Sequence, residues 1–138
     1  MRMGSLNKLK WNDINEHLIL LHSKSGDYSF PMNEAIADVL KKLKTLLATT
    51  EYVCCNENGY YLGKYNYLSH IIKHYMRKAS LKEVYRAHSL RHTFASHLVM
   101  RGEPIYSVSK LLGHRNVATT EQYSHLNPAI MKIDTKYF

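Results

Sequence analysis

Between positions 88 and 123 the chain carries two histidines, an arginine and a tyrosine in an order that suits chemistry on a phosphate: His88, Arg91, His114 and Tyr123. His88 and Arg91 stand three apart near an expected helix start, so both side chains project from one face. Free backbone N–H groups at that helix end favour a bound anion. The planar guanidinium of Arg91 can clamp two phosphate oxygens, which a lysine cannot do. His114 follows a helix stop at Gly113, where a loop can aim it into a cleft. Tyr123 comes after a turn and a further helix start. A phenol with its ordinary pKa near 10 is a poor nucleophile, so neighbouring cations and a general base are needed to make it competent. Each residue alone says little, because the chain holds 9 histidines and 11 tyrosines and most must be core or surface residues. The signal lies in their order and spacing.

These residues need elements to hold them. Leu6, Leu9 and Trp11 suggest the end of a short helix. Two apolar runs, His17-Leu-Ile-Leu-Leu-His22 and Tyr28-Ser-Phe-Pro-Met32, flank Gly26-Asp27, which is turn chemistry. They predict a β-hairpin with Lys24 near its tip and Pro31 on an edge strand. Asn33 can cap a helix whose apolar residues Ile36, Val39, Leu40, Leu43, Leu46 and Leu47 recur at helical intervals, with Thr49-Thr50 at its end. Tyr52–Cys55 reads as a short strand and 56–59 as a turn. Tyr67, Leu68, Ile71, Ile72, Tyr75 and Met76 form the buried stripe of another helix, with His70, Lys73, His74, Arg77 and Lys78 on its polar side.

The helix after His88 is expected to bury Leu90, Phe94 and Leu98 and to stop at Gly102. Pro104 opens the next, which uses Ile105, Val108, Leu111 and Leu112. Thr119 and Gln122 fit a capping box for a last short helix carrying Tyr123. The expected fold class is α+β, mainly α: one helical domain with a small N-terminal antiparallel hairpin. No internal repeat, low-complexity tract or linker interrupts it.

Composition narrows the setting. Nineteen Lys+Arg against 11 Asp+Glu give a formal charge of +8, which attracts nucleic acid or an anionic membrane surface without choosing between them. No apolar run approaches the roughly 18 residues that a membrane span needs, and the first ten residues lack a secretory apolar stretch. The 2 cysteines, Cys54 and Cys55, are adjacent, which suits neither a disulfide framework nor a CxxC metal knuckle and points to a reducing, intracellular setting. His70 and His74 could share a metal from one helix face. The glutamate that follows the first histidine of a zinc-protease motif is absent, so no metal site is expected.

Taken together, these stretches resemble the signature of the tyrosine recombinases, the phage-integrase family. Its pattern is a His-x-x-Arg box, a Leu-Gly-His box and a downstream tyrosine. Here they read His88-Ser-Leu-Arg91, Leu112-Gly113-His114 and Thr119-Thr-Glu-Gln-Tyr123. The segment from Arg2 to Trp11 resembles the one opening with the family's first arginine, and Ser23-Lys24 through Pro31 resembles its hairpin lysine. The resemblance covers nearly the whole chain in the family's order. It departs at Ser5, where the family normally has an acidic residue. The helices usually found before the first arginine and the separate core-binding domain are not in this sequence.

The resemblance implies that residues 1–138 form an N-terminally truncated catalytic domain that cuts and rejoins double-stranded DNA without metal, ATP or any other cofactor. Tyr123 would attack the scissile phosphate, leaving a 3′-phosphotyrosyl link and a 5′-hydroxyl. Arg2 and Arg91 would stabilise charge on the non-bridging oxygens, with a hydrogen bond from His114. His88 would be the general base and Lys24 the general acid. Lys73, Arg77, Lys78, His92 and Arg115 are the candidates for further DNA contacts. A homo-oligomer on DNA, a tetrameric synapse by resemblance, and a cytoplasmic, nucleoid-associated setting in a bacterium, archaeon or phage host follow from the same likeness, with no membrane partner. The tail 127–138, with Ile130, Ile133, Tyr137 and Phe138, would pack either on a neighbouring protomer or on its own core. Two other readings stay open at the level of sequence: a remnant that binds DNA or a sister protomer without cleaving, and strand relaxation of the type IB topoisomerase kind.

Overall fold

Among the described residues, three helices and one hairpin precede the stretch that carries the boxes, and their order follows the expected one. The computed structural model describes residues 1–47, 50–56, 58, 62 and 65–128. Helix α1 (Met3–Asn7) is followed by a 3-10 turn at Trp11–Asp13, strands β1 (Leu18–Leu21) and β2 (Tyr28–Pro31), and helices α2 (Glu34–Leu46) and α3 (Tyr65–Lys78). Then come α4 (Ala87–Met100), α5 (Ile105–Leu112), α6 (Ala118–Glu121) and a 3-10 turn at Ser124–Leu126. The chain is thus mainly α with a two-stranded antiparallel sheet, in the register Leu18–Pro31 to Leu21–Tyr28. Among the described residues no helix is long and apolar enough to cross a membrane.

Two apolar clusters hold these elements. The first joins Leu9, Ile19, Leu21 and Val53, with Tyr28, Phe30, Ile36, Leu40 and Leu43 packed against it. Ile19 and Leu21 bury because alternate strand residues share a face. The second joins Ala95 and Val99 of α4, Val108 and Leu112 of α5, and Tyr123. It binds the two boxes and the tyrosine into one packed unit.

Several expectations are met and several are shifted. Asn33 caps α2 by accepting the Ile36 N–H at 2.9 Å. The stripe of α2 is wider than the surface it covers, so Val39 and Leu46 stay exposed. Tyr67 and Tyr75 on α3 are likewise exposed, whereas Met76 is buried. On α4 the fully buried line is Arg91, Ala95 and Val99, four apart; of the three expected residues only Leu98 packs against the second cluster, and it is partly buried. Small residues there let α5 approach closely. Leu90 and Phe94 are exposed, and Phe94 leans on Phe30 with ring centroids 6.1 Å apart. Trp11 opens a separate 3-10 turn and does not end α1.

The strand expected at Tyr52–Cys55 is replaced, among the described residues, by isolated bridge positions at Tyr52 and Cys55; Tyr52 pairs with Lys10, flanked by bonds from Trp11 N to Glu51 O and from Val53 N to Leu9 O. The 3-10 turn at Trp11 curls the partner segment away. The capping box at α6 does not form: the Gln122 side-chain amide donates to the Thr119 carbonyl, and Val117 occupies the cap position. The ends expected at Thr49 and across 56–59, and the tail from residue 129, lie wholly or partly outside the described residues.

Candidate active site

Helix α4 presents the first box. The Ser89 hydroxyl accepts the Arg86 N–H at 3.1 Å and closes the helix start, which places His88 and His92 one turn apart on the same face. Arg91 points inward. It is 7% exposed, and one of its terminal nitrogens, Nη2, donates to the Leu112 carbonyl at 2.6 Å, tying α4 to the end of α5. The other, Nη1, is buried without a well-formed hydrogen bond among the described residues, and so is the neighbouring Tyr28 hydroxyl. Burial lowers the Arg91 pKa from its usual value, and Tyr28 opposes that effect. A buried guanidinium with an unsatisfied N–H is costly unless an acceptor reaches it. A phosphate oxygen is such an acceptor.

The second box is set by backbone geometry. Gly113 has φ +65°, and a Cβ there would lie 2.6 Å from the Tyr28 ring. Glycine is therefore required twice over, for the left-handed turn and for the ring that packs on it. The His114 N–H returns to the Ser109 carbonyl at 3.0 Å and the Gly113 N–H to Lys110 at 2.9 Å, the bond pair of a Schellman stop. His114 Nδ1 then bonds the hydroxyl of fully buried Thr120 at 2.7 Å. Burial, with the charges of Arg91 and Arg2, drives its pKa down to about 4. His114 is a neutral imidazole at pH 7, and when Nδ1 accepts from Thr120 the other nitrogen is a donor.

Tyr123 is a core residue except at its tip. Its ring belongs to the α4–α5 cluster, and its hydroxyl is hydrogen-bonded to His92 Nδ1. Burial raises the phenol pKa above its usual value while the Arg91 charge pulls it down. The His92 ring in turn meets His88 edge-on at 4.9 Å between centroids.

A cleft of about 560 Å³ adjoins this group, with Arg2, Ser5, His22, Lys24 and His88 among its lining. Arg2 donates to the Ser25 hydroxyl on the hairpin loop. Lys24 is exposed at that loop, where Gly26 adopts φ +105° and its N–H bonds the Ser23 carbonyl at 3.1 Å. His22, at the loop base, bonds Asp13 at 3.3 Å and Asp27 at 3.0 Å, and both carboxylates raise its pKa. Ser5, where the resemblance expects an acid, is buried with its hydroxyl unpartnered among the described residues. The charges of Arg2 and Arg91 depress the pKa of both His88 and His114, after the larger effect of burial. These four residues therefore share one electrostatic neighbourhood.

The expected residues thus fall into two linked groups: Arg2, Lys24 and His88 on the cleft, and Arg91, His92, His114 and Tyr123 at the joint of α4, α5 and α6. No described contact joins His88 to the Tyr123 hydroxyl; His92 occupies that position. Lys73 and Arg77 on α3 are both paired with Glu83, at 3.2 and 2.5 Å, and hold its carboxyl down to about 2. Lys78 lies 5.8 Å from the Tyr75 ring centre, and Arg115 is exposed after the Leu-Gly-His turn. Sequence reasoning missed Tyr28 and Thr120, which aim the boxes. It also missed the contact of His92 with the phenol, although the four-residue interval from His88 was visible.

Known proteins carry the same arrangement of elements. The chain is 28% identical to tyrosine recombinase XerD of Listeria monocytogenes, in a match spanning all of this chain and 50% of that protein. It is 32% identical to tyrosine recombinase XerC of Bacillus pumilus over 92% of this chain and 46% of that one. The chain spans about half the length of these curated relatives. Among solved structures, XerA recombinase superposes with a TM-score of 0.80 at 28% identity, covering 94% of this chain and 50% of that chain. The XerH site-specific recombinase, bound to a palindromic difH substrate in a post-cleavage complex, superposes at 0.76 and 25% identity, covering 95% and 40%. The sequence profile of the phage integrase family matches residues 1–129, boxes and hairpin included, and the chain belongs to that family.

Proposed function

We propose that this domain cuts and rejoins double-stranded DNA in site-specific recombination, with Tyr123 as nucleophile and a 3′-phosphotyrosyl intermediate. The observation that carries the reading is the buried Arg91, anchored on Leu112 through one nitrogen and, at the other, without a well-formed hydrogen bond among the described residues although the Tyr28 hydroxyl lies beside it, in the same electrostatic neighbourhood as the Tyr123 phenol. A phosphate seated on Arg91 would take charge stabilisation from a donor fixed before the reaction, usually the largest single term in such catalysis. Arg2 reaches the same phosphate from the cleft. His114, neutral and aimed by Thr120, adds a hydrogen bond without adding charge. Lys24 at the hairpin loop supplies a proton to the departing 5′-oxygen. One phosphodiester is exchanged for another, so the step needs no external energy.

The basic residues Lys73, Arg77, Lys78 and Arg115 serve as phosphate contacts outside the reacting group, so affinity should fall steeply with salt. Synapsis would bring sister protomers together, four on two duplexes, with the tail 127–138 as the segment exchanged or folded home. The test is a nicked suicide substrate. The wild-type chain should give a covalent protein–DNA adduct, and Tyr123→Phe should give none while still binding DNA. An adduct that survives Tyr123→Phe would reassign the nucleophile. A folded chain that binds DNA and never forms an adduct would favour the non-cleaving reading, and relaxation of plasmid lacking any recombination site would favour the topoisomerase one.

A further inference from the structure

We propose that His92 is the general base that takes the phenol proton of Tyr123. The inference rests on the strand-transfer reading above and names a residue for a step that the family resemblance would give to His88. Its observation is direct: His92 Nδ1 is the hydrogen-bond partner of the Tyr123 hydroxyl. The phenol is held there by its surroundings. The ring packs among Ala95, Val99, Val108 and Leu112, and the backbone is tied by bonds from Tyr123 N to Thr120 O and from Leu126 N to Tyr123 O. A tyrosine fixed at both ring and backbone can present its oxygen in few directions, and the imidazole occupies one of them.

The chemistry requires such a partner. A phenol at neutral pH holds its proton, and burial here strengthens that hold. As the phenol oxygen bonds to phosphorus, its proton passes to Nδ1 of His92. The bond from phosphorus to the 5′-oxygen breaks, and that oxygen takes a proton from Lys24. His92 is exposed, so it can return its proton to water before the reverse reaction. His88 touches the edge of the same ring at 4.9 Å and faces the cleft of Arg2 and Lys24, a place suited to contacting phosphate and orienting His92.

The competing explanation is that His92 only satisfies a half-buried hydroxyl. Asparagine separates the two, because its side-chain oxygen can accept from the phenol where Nδ1 does but cannot carry the proton away. Single-turnover adduct formation on the suicide substrate should slow by about 10²- to 10⁴-fold in His92→Asn. Placing 3,5-difluorotyrosine at position 123, a phenol that ionises far more readily, should recover at least part of that loss. The same pair of changes at His88 should show no recovery. Because the position is exposed, the variant should fold, and His92→Gln provides a second one. An Asn variant within about threefold of wild type, a loss that the fluorinated phenol leaves untouched, or recovery seen at His88 would each overturn the assignment while leaving the strand-transfer reading intact. Absence of any adduct in the wild type would instead bring down that reading and this inference with it.

Discussion

The two halves of the molecule hold their chemistry in different ways. In the α4–α5 half, the groups proposed to react are part of the core: Arg91 is buried, Tyr123 packs with Val99 and Leu112, and His114 is pinned through fully buried Thr120. In the hairpin half they sit outside the core, with Lys24 exposed on a tight loop and Arg2 reaching that loop through the Ser25 hydroxyl. Charge stabilisation demands donors that do not reorganise, and packing supplies that. A proton donor must meet a leaving group that moves, so a loop is a workable platform. Substitutions in the packed half should therefore disturb stability and activity together, and those on the loop should disturb activity alone.

After the loss of the nucleophile itself, the largest effect expected under the proposed mechanism is on the loop. Lys24→Ala should slow cleavage by about 10²- to 10⁴-fold and leave the melting temperature nearly unchanged, because an exposed side chain away from the core contributes within about ±0.5 kcal/mol. A substrate with sulfur in place of the leaving 5′-oxygen needs no acid and should abolish most of the difference. A Lys24→Ala protein equally slow on both substrates would break the comparison. Next is Gly113→Ala, at the joint between the halves. It forces a left-handed residue and a clash with the Tyr28 ring, and chemical denaturation should show a loss of roughly 2–4 kcal/mol. Tyr28→Ala in the same chain should restore part of this by removing the clash.

A smaller effect is linked to pH. The His114 pKa of about 4 lies below its usual 6.5, so the folded state binds this proton less readily than the unfolded chain does. Stability present above about pH 6.5 is then lost as pH falls toward about 4. His88 acts in the same direction and His22 in the opposite one. Denaturation midpoints measured at pH 7.5 and pH 5 should differ less in His114→Asn than in the wild type. An unchanged difference would mean that His114 is not held neutral by the core.

How much of this was legible beforehand follows from the kind of force involved. The hairpin, the Asn33 cap and the Gly113 stop are local events, written in neighbouring residues, and they appear where expected. The face of α4 was misjudged because Arg91, a residue that hydropathy reads as surface, heads its buried line while Leu90 and Phe94 lie outside. Periodicity cannot anticipate a buried arginine. The candidate site residues were legible as a spaced set, since they follow the order of the family's boxes along the chain. Their contacts were not, because the bonds from His92 to Tyr123 and from Arg91 to Leu112 span 31 and 21 positions and depend on how α4, α5 and α6 meet.

The Glu83 carboxylate already does to Lys73 and Arg77 what a DNA phosphate would do. Both cations have an anionic neighbour in the free protein, so a duplex arriving at α3 exchanges one anion for another. Such an exchange liberates fewer condensed counterions than contact with a bare cation. The salt slope of binding would then undercount the phosphates touched on this face. Replacing the carboxylate with an amide in Glu83→Gln should tighten binding at low salt and steepen the slope by roughly one unit, as measured by fluorescence anisotropy across a salt series. The acid in the turn after α3 would thus work as a ballast on affinity, keeping a strongly basic chain from holding every duplex it meets.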